Sequence, residues 1–357
     1  MMKLKSIEII NNPNRNSSID IFRSIAIISV VLFHYNQQLP FGNLGVDLFF
    51  LISGFLVGGL LTKEFKSGIK INFLKFFLQR GFKIWPSYYT FLLFGSLIAI
   101  GFYHSYRADQ IIPIWDIKRY LLFYQNYTGL PFHWSFDHIW SLCVEEHFYI
   151  LLPILFLIIQ KFIPENKRMK ALFAFVILTI LLGIVFKHFS YFLTRSKDVY
   201  SATHNRIDAL AWGVLLNLII NEYGEKLKSI KHSLVFVTSG LLILIAAIFY
   251  QNMQAPILFE KIYFHSVIPI SFFLLMLGLY YVDFSKLKVL RFISYYSYNW
   301  YLWHPVFVIF ITRYFGNTIA GLVSYLVVTF LIALIATVCI EETFLEKRNT
   351  FLEKYFK

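Results

Sequence analysis

Several ionisable side chains sit in stretches of this sequence that are otherwise almost wholly apolar, and these are the residues with chemistry to offer. The first group is Asp20, Arg23 and His34. Arg23 and His34 are eleven residues apart, close to three helical turns, so on a helix both project from one face, about 16 Å apart along the axis. At that separation they do not hydrogen-bond to each other; they mark two ends of a polar stripe. An imidazole is suited to proton transfer near neutral pH, and a guanidinium to holding an anion. Asp20 precedes Arg23 by three residues, close enough to pair with it. A plainer arrangement fits the same spacing, with Arg23 snorkelling to a membrane interface and His34 among headgroups.

A second group is denser: His138, Trp140, Ser141, Glu145, Glu146, His147 and Tyr149. Ser141, Glu145 and Tyr149 recur every four residues and share one helix face, so Ser141 is placed to hold Glu145 toward an interior. Adjacent carboxylates at Glu145 and Glu146 suit acid–base work or binding, or an anchoring cluster at an interface. The two histidines and the carboxylates do not converge as metal ligands would, and no metal is expected. Arg206 and Asp208, two apart, point to different faces, and each needs a partner elsewhere. His304, before Pro305, reads first as structural. Arg80 and Lys83, one turn apart, suit a phosphate, and equally suit anchoring at a membrane surface.

The elements that must carry these residues are membrane helices. The 357-residue chain is 58% hydrophobic and 15% charged, with a mean hydropathy of +0.62. That is too little charge to cover a globular surface, where about 25% is usual. The apolar runs are long and unbroken rather than alternating, which selects helices over strands. His232 to Phe259 and Tyr314 to Ile340 are free of charged residues over 28 and 27 positions, and a span needs about 20. The pattern predicts an all-α, polytopic bundle of about ten transmembrane helices. Their expected ranges are 20–40, 45–62, 85–104, 138–160, 171–188, 204–221, 233–251, 262–282, 294–313 and 319–340.

Placing both termini in the cytoplasm puts 23 Lys and Arg on the inner side and 8 on the outer, with Arg23 and Arg206 inside spans. That bias fits the positive-inside rule and accounts for the net charge of +13 without invoking nucleic acid. Two cysteines, Cys143 and Cys339, indicate neither a disulfide scaffold nor a metal site. Met1 to Ile19 lacks the apolar core and cleavage site of a removable signal. One domain, 1–357, with no fused soluble domain, is expected. The longest stretch between spans, 105–137, holds Trp115, Tyr120, Tyr124, Tyr127 and Trp134, rings suited to stacking on sugars or to an interfacial belt.

Taken together, these blocks resemble the acyltransferase 3 family of integral membrane acyltransferases. The stretch from Ile19-Asp20-Ile21-Phe22-Arg23 to Phe33-His34 resembles the family's first-span motif. Gly45-Val46-Asp47-Leu48-Phe49-Phe50-Leu51-Ile52-Ser53-Gly54-Phe55 resembles its second. Trp140-Ser141-Leu142-Cys143-Val144-Glu145-Glu146-His147-Phe148-Tyr149 is similar to a third, in which Ser and Gln are commoner at positions 143 and 147. Arg206-Ile207-Asp208-Ala209 and Tyr301-Leu302-Trp303-His304-Pro305 add two later blocks. The ending Ile340-Glu341-Glu342-Thr343-Phe344 lacks the proline common there.

The resemblance implies a multi-pass enzyme of the inner (plasma) membrane. It would transfer an acyl group, usually acetyl from acetyl-CoA, to a hydroxyl of a cell-envelope or exported carbohydrate, free or lipid-linked. It implies catalytic roles for Arg23 and His34; the expected role of Glu145 or Glu146, read from their position and not from the resemblance, is to orient an imidazole or hold the acceptor. It maps an acyl-CoA-binding pair of arginines onto Arg80 and Lys83, where lysine keeps the charge but loses the bidentate fork. The competing class is a polytopic transporter or flippase for an envelope precursor, which shares buried charges and many spans. An internal repeat would favour it, and the two halves show no convincing one.

Overall fold

The computed structural model describes residues 5–12, 15–35, 39–103, 117–127, 136–194, 200–253 and 256–356. Among them there are helices and turns but no strand, as expected for backbone that must satisfy its own polar groups in hydrocarbon. Among the described residues, seven helices are long and apolar enough to cross a membrane: Ser17–His34, Leu44–Lys66, Asp137–Phe162, Glu165–Leu193, Ile230–Asn252, Phe259–Leu279 and Ile319–Tyr355. The other expected spans, 85–104, 204–221 and 294–313, also fall on helical segments. The protein is thus an all-helical, multi-pass membrane protein.

The chain forms two compact units, Met1–Ala26 with Leu44–Ile71 and Val144–Arg291, and Ile27–Asn43 with Asn72–Cys143 and Phe292–Lys357. Helices are numbered α1 (Lys5–Ile10), α2 (Ser17–His34), α3 (Leu44–Lys66), α4 (Phe73–Tyr103), α5 (Ile117–Leu121), α6 (Trp140–Phe162), α7 (Glu165–Thr194), α8 (Thr203–Leu227), α9 (Ile230–Asn252), α10 (Phe264–Leu279), α11 (Lys288–Trp303), α12 (Val308–Phe315), α13 (Ile319–Ala336) and α14 (Glu342–Tyr355).

In the first unit, α3 lies close against α8. A Cβ added to Gly54 would run into the Leu210 carbonyl, and one added to Gly213 into the Leu51 carbonyl, so neither position has room for a side chain. Small residues let two backbones approach in this way where the hydrophobic effect cannot drive association. The close packing carries a network of buried charge. Arg206 Nη2 donates to Asp47 Oδ1 at 2.5 Å, and the two side chains are 1% and 0% exposed. Lys187 Nζ donates to Asp208 Oδ2 at 2.5 Å and to Ser266 Oγ at 2.9 Å. His265 Nδ1 lies 3.3 Å from Asp47 Oδ2. Arg206 and Asp208 thus have the separate partners their spacing demands. Lys187, expected at the outer flank of a span, is buried inside α7 because Asp208 draws it in. Asp20, expected beside Arg23, accepts from Arg15 Nε at 2.8 and 2.9 Å and from Arg291 Nε at 3.1 Å.

The second unit is packed around aromatic rings. Tyr88 stacks on Phe123 with centroids 4.3 Å apart, and Phe91 meets Phe136 and Trp303 edge to face. Tyr35 stacks on Tyr325 at 5.1 Å, and its hydroxyl donates to the Gly316 carbonyl at 3.0 Å. These contacts fix the end of α2 against the α12–α13 turn. Between α13 and α14, Thr337–Glu341 forms a widened π-helical turn, a device often found at functional positions.

Candidate active site

Three histidines from three separate elements meet in the second unit. His34 is the last residue of α2, His138 lies in the 3₁₀ turn Asp137–Ile139 ahead of α6, and His304 opens the 3₁₀ turn His304–Phe307 after α11. Ring centroids are 4.8 Å apart for His34 and His304, 5.3 Å for His138 and His304, and 6.5 Å for His34 and His138. His138 and His304 are 4% and 0% exposed, whereas His34 is half-buried.

The backbone sets the tautomer of each ring, because a carbonyl only accepts. His34 Nδ1 lies 2.8 Å from the Val30 carbonyl, so Nδ1 carries the proton and Nε2 is the basic nitrogen of the neutral ring. His304 Nδ1 lies 2.8 Å from the Tyr301 carbonyl and 3.1 Å from that of Trp300. Pro305 has no N–H to give to Tyr301, the residue four before it. The imidazole supplies that missing donor, which explains the His-Pro pair physically. His304 Nε2 is then a buried basic nitrogen with no protein partner. His138 has the opposite arrangement: Nε2 donates to the Leu302 carbonyl at 3.1 Å, and Nδ1 is buried without a partner. Neutral, the three rings bring three basic nitrogens into one cluster. Among the described residues no group of three His, Cys, Asp or Glu side chains has the arrangement of a metal site.

A hydroxyl pair holds this cluster in place. Ser141 Oγ and Tyr301 Oη are 2.7 Å apart, and both lie within hydrogen-bonding distance of the His138 carbonyl, at 3.1 and 2.7 Å, so their two protons are shared among these three contacts. The expected contact from Ser141 to Glu145 is thereby replaced. In the first unit, Glu145 Oε2 accepts from Tyr149 Oη at 2.5 Å and from Ser53 Oγ at 3.3 Å. Tyr149 is the member of the four-residue series that holds Glu145, together with a serine from α3 that no local spacing could indicate. Glu146 is buried, and Arg23 is half-buried on α2 within the first unit.

Arg80 and Lys83 lie on α4 in the second unit, both half-buried. Lys83 Nζ is ion-paired with Glu341, whose side chain is 3% exposed. Asn299 Nδ2 donates to the other oxygen of Glu341 at 2.8 Å and to Thr337 Oγ1 at 3.0 Å. The π-helical turn brings Thr337 and Glu341 to the same asparagine. The charge of Lys83 is thus matched inside the protein, which sequence spacing did not reveal. The expected acceptor-selecting stretch, 105–137, lies largely outside the described residues, including Trp115 and Trp134.

The chain is 26% identical over 359 residues to O-acetyltransferase OatA of Staphylococcus aureus strain NCTC 8325 / PS 47, covering 94% of this chain and 57% of that protein. OatA of strain MRSA252 gives the same values. The chain spans little more than half the length of these relatives. No solved structure matches it. The family model described as an acyltransferase domain matches residues 16–339, and the chain therefore belongs to the acyltransferase 3 family.

Proposed function

We propose that this chain is a membrane O-acyltransferase that moves acetyl from acetyl-CoA to a hydroxyl of a cell-envelope or exported carbohydrate. Family membership and the O-acetyltransferase relatives support the reaction class. The observation that carries the assignment of the base is His34. Its Nδ1–H is tied to Val30, so Nε2 is the nitrogen that takes a proton. In this reading the acceptor hydroxyl gives its proton to His34 Nε2 as its oxygen attacks the thioester carbonyl. The tetrahedral oxyanion collapses, the C–S bond breaks, and the imidazolium returns the proton to the CoA thiolate. The products are the acetyl ester and free CoA. Arg23 offers positive charge to the donor or to the oxyanion. Glu145 and Glu146 hold the acceptor or orient an imidazole.

Arg80 and Lys83 are the proposed sites for the CoA phosphates. Of the two, Arg80 is proposed as the stronger anion site, because a guanidinium offers the bidentate fork that lysine lacks. The proposed setting is ten spans, both termini cytoplasmic, in the plasma membrane, with 1–357 as one acyltransferase domain. The test is incorporation of labelled acetyl from acetyl-CoA into envelope carbohydrate by membranes containing the chain. Normal transfer by His34→Ala at normal protein abundance would sink the catalytic role of His34. Label that never reaches carbohydrate would favour the transporter class instead.

A further inference from the structure

We infer that a second site in this protein, a cation-lined cavity of about 620 Å³ in the first unit, binds the phosphate group of an anionic phospholipid. Its walls include Arg15, Lys228, Lys286, Lys288 and Arg291, five cations, against one lining carboxylate, Asp283. Asp283 is already engaged: it accepts from the Ser285 amide and hydroxyl at 2.8 and 2.9 Å and from Ser17 Oγ at 3.3 Å. Asp20 is bonded to both Arg15 and Arg291 and balances part of their charge. Lys286 and Lys288 are exposed and form no salt bridge among the described residues. Arg291 is only 4% exposed, and its Nη2 has no hydrogen-bond partner among the described residues. A buried guanidinium nitrogen without an acceptor is costly, and an anionic oxygen in the cavity beside Arg291 is the natural partner for that side chain. The lining shares no residue with the histidine cluster or with Arg80 and Lys83.

The position of the cavity selects a lipid as the source of the phosphate. Three apolar spans begin or end at its wall. Ser17 opens α2, Lys228 lies two residues ahead of α9 at Ile230, and Tyr280 follows the last residue of α10. A cavity at the common edge of three spans lies at headgroup depth. Tyr280 and Tyr281 line it, as rings do at that level. Basic pockets between transmembrane helices are suited to anionic headgroups, whereas a choline headgroup would bring its own cation against the lysines. The three wall segments, around Arg15, Lys228 and Lys286, are also ones the Lys and Arg count assigns to a single side of the membrane.

The test uses the purified full-length chain in a neutral detergent. It is titrated with short-chain phosphatidylglycerol and, separately, with inorganic phosphate, and bound ligand is read by native mass spectrometry. K228Q/K286Q/K288Q removes three exposed charges from the wall, and K161Q/K167Q/K170Q removes three exposed charges elsewhere as a control. The first triple variant is expected to weaken phosphatidylglycerol binding at least about tenfold, with the control unchanged. The same contrast with inorganic phosphate but not with lipid upholds the phosphate site and overturns the lipid source. No binding of either ligand, or equal loss in both variants, overturns the site. Since the readout is binding alone, failure here leaves the proposed acyl transfer untouched, and the reverse also holds.

Discussion

The ring centroids of His34 and His304 lie 4.8 Å apart, edge to face, and each ring donates its Nδ1–H to a backbone carbonyl three or four residues before it, Val30 for His34 and Tyr301 for His304. Two imidazoles fixed in the same tautomer at this distance each keep Nε2 as the basic nitrogen. An asparagine amide reproduces the Nδ1 donor of histidine but not Nε2. His304→Asn is therefore expected to keep normal abundance and thermal stability while acetyl transfer falls about 10²-fold. His304→Ala is expected to lose stability as well, by about 1–3 kcal/mol, because the Tyr301 carbonyl is left without a donor. Melting curves of both variants, read beside label incorporation, separate the structural duty of this ring from the chemical one.

Asp47→Asn removes the carboxylate that faces the fully buried Arg206. Breaking a buried pair from one side costs about 3–5 kcal/mol, chiefly because the remaining charge stays buried. The expected outcome is a sharp fall in melting temperature in detergent, and Asp47→Leu combined with Arg206→Leu recovers much of the loss. A single variant as stable as the parent would show that the pair contributes nothing.

Lys83→Met leaves Glu341 nearly enclosed without its cation, while Glu341→Gln leaves Lys83 on the half-buried face of α4. The two substitutions are expected to be non-additive, with a coupling of about 0.5–3 kcal/mol in a double-mutant cycle read by thermal unfolding. If Lys83 also meets the acyl donor, Lys83→Met raises the KM for acetyl-CoA even in the Glu341→Gln background. An unchanged KM in that background would leave Lys83 a purely structural partner.

Asp283 lies outside the spans, and the Ser285 amide and hydroxyl hold its carboxyl below the usual carboxylate range. A depressed folded-state value means that the charged form favours the fold. Its contribution is complete above the ordinary aspartate range and is lost as pH falls through the lowered folded value. Hydrogen exchange at the Ser285 amide is the measurement. Protection is expected to persist through mild acidification, to fall only at strongly acidic pH, and to be weakened at all pH values by Asp283→Ala.

The sequence made much of the helical body readable, because length and charge-free composition are local properties. It also showed that Arg206 and Asp208 required partners, since two residues apart on a helix means two faces. It did not show that those partners are Asp47 and Lys187, which lie on other helices. The histidine cluster was half legible. His34 stood out in an apolar span, but His304 read as structural; its bond to Tyr301 fits a structural duty, and its meeting with His34 and His138 was not legible from spacing. Ser141 misled, because four-residue spacing points at Glu145 while its hydroxyl lies against the His138 carbonyl and against Tyr301, 160 residues away. Spacing ranks partners on the same helix and says nothing about a better one brought in by packing.

Asp47 leaves the ribosome 159 residues ahead of Arg206. Until α8 is made, Asp47, in the first turn of α3, has no guanidinium beside it, and a carboxylate without its partner is costly to bury. Gly54 likewise has no Leu210 backbone to pack against. The pair thus ties the settling of α3 to the synthesis of α8: a chain cut short before Arg206 lacks the guanidinium that neutralises Asp47.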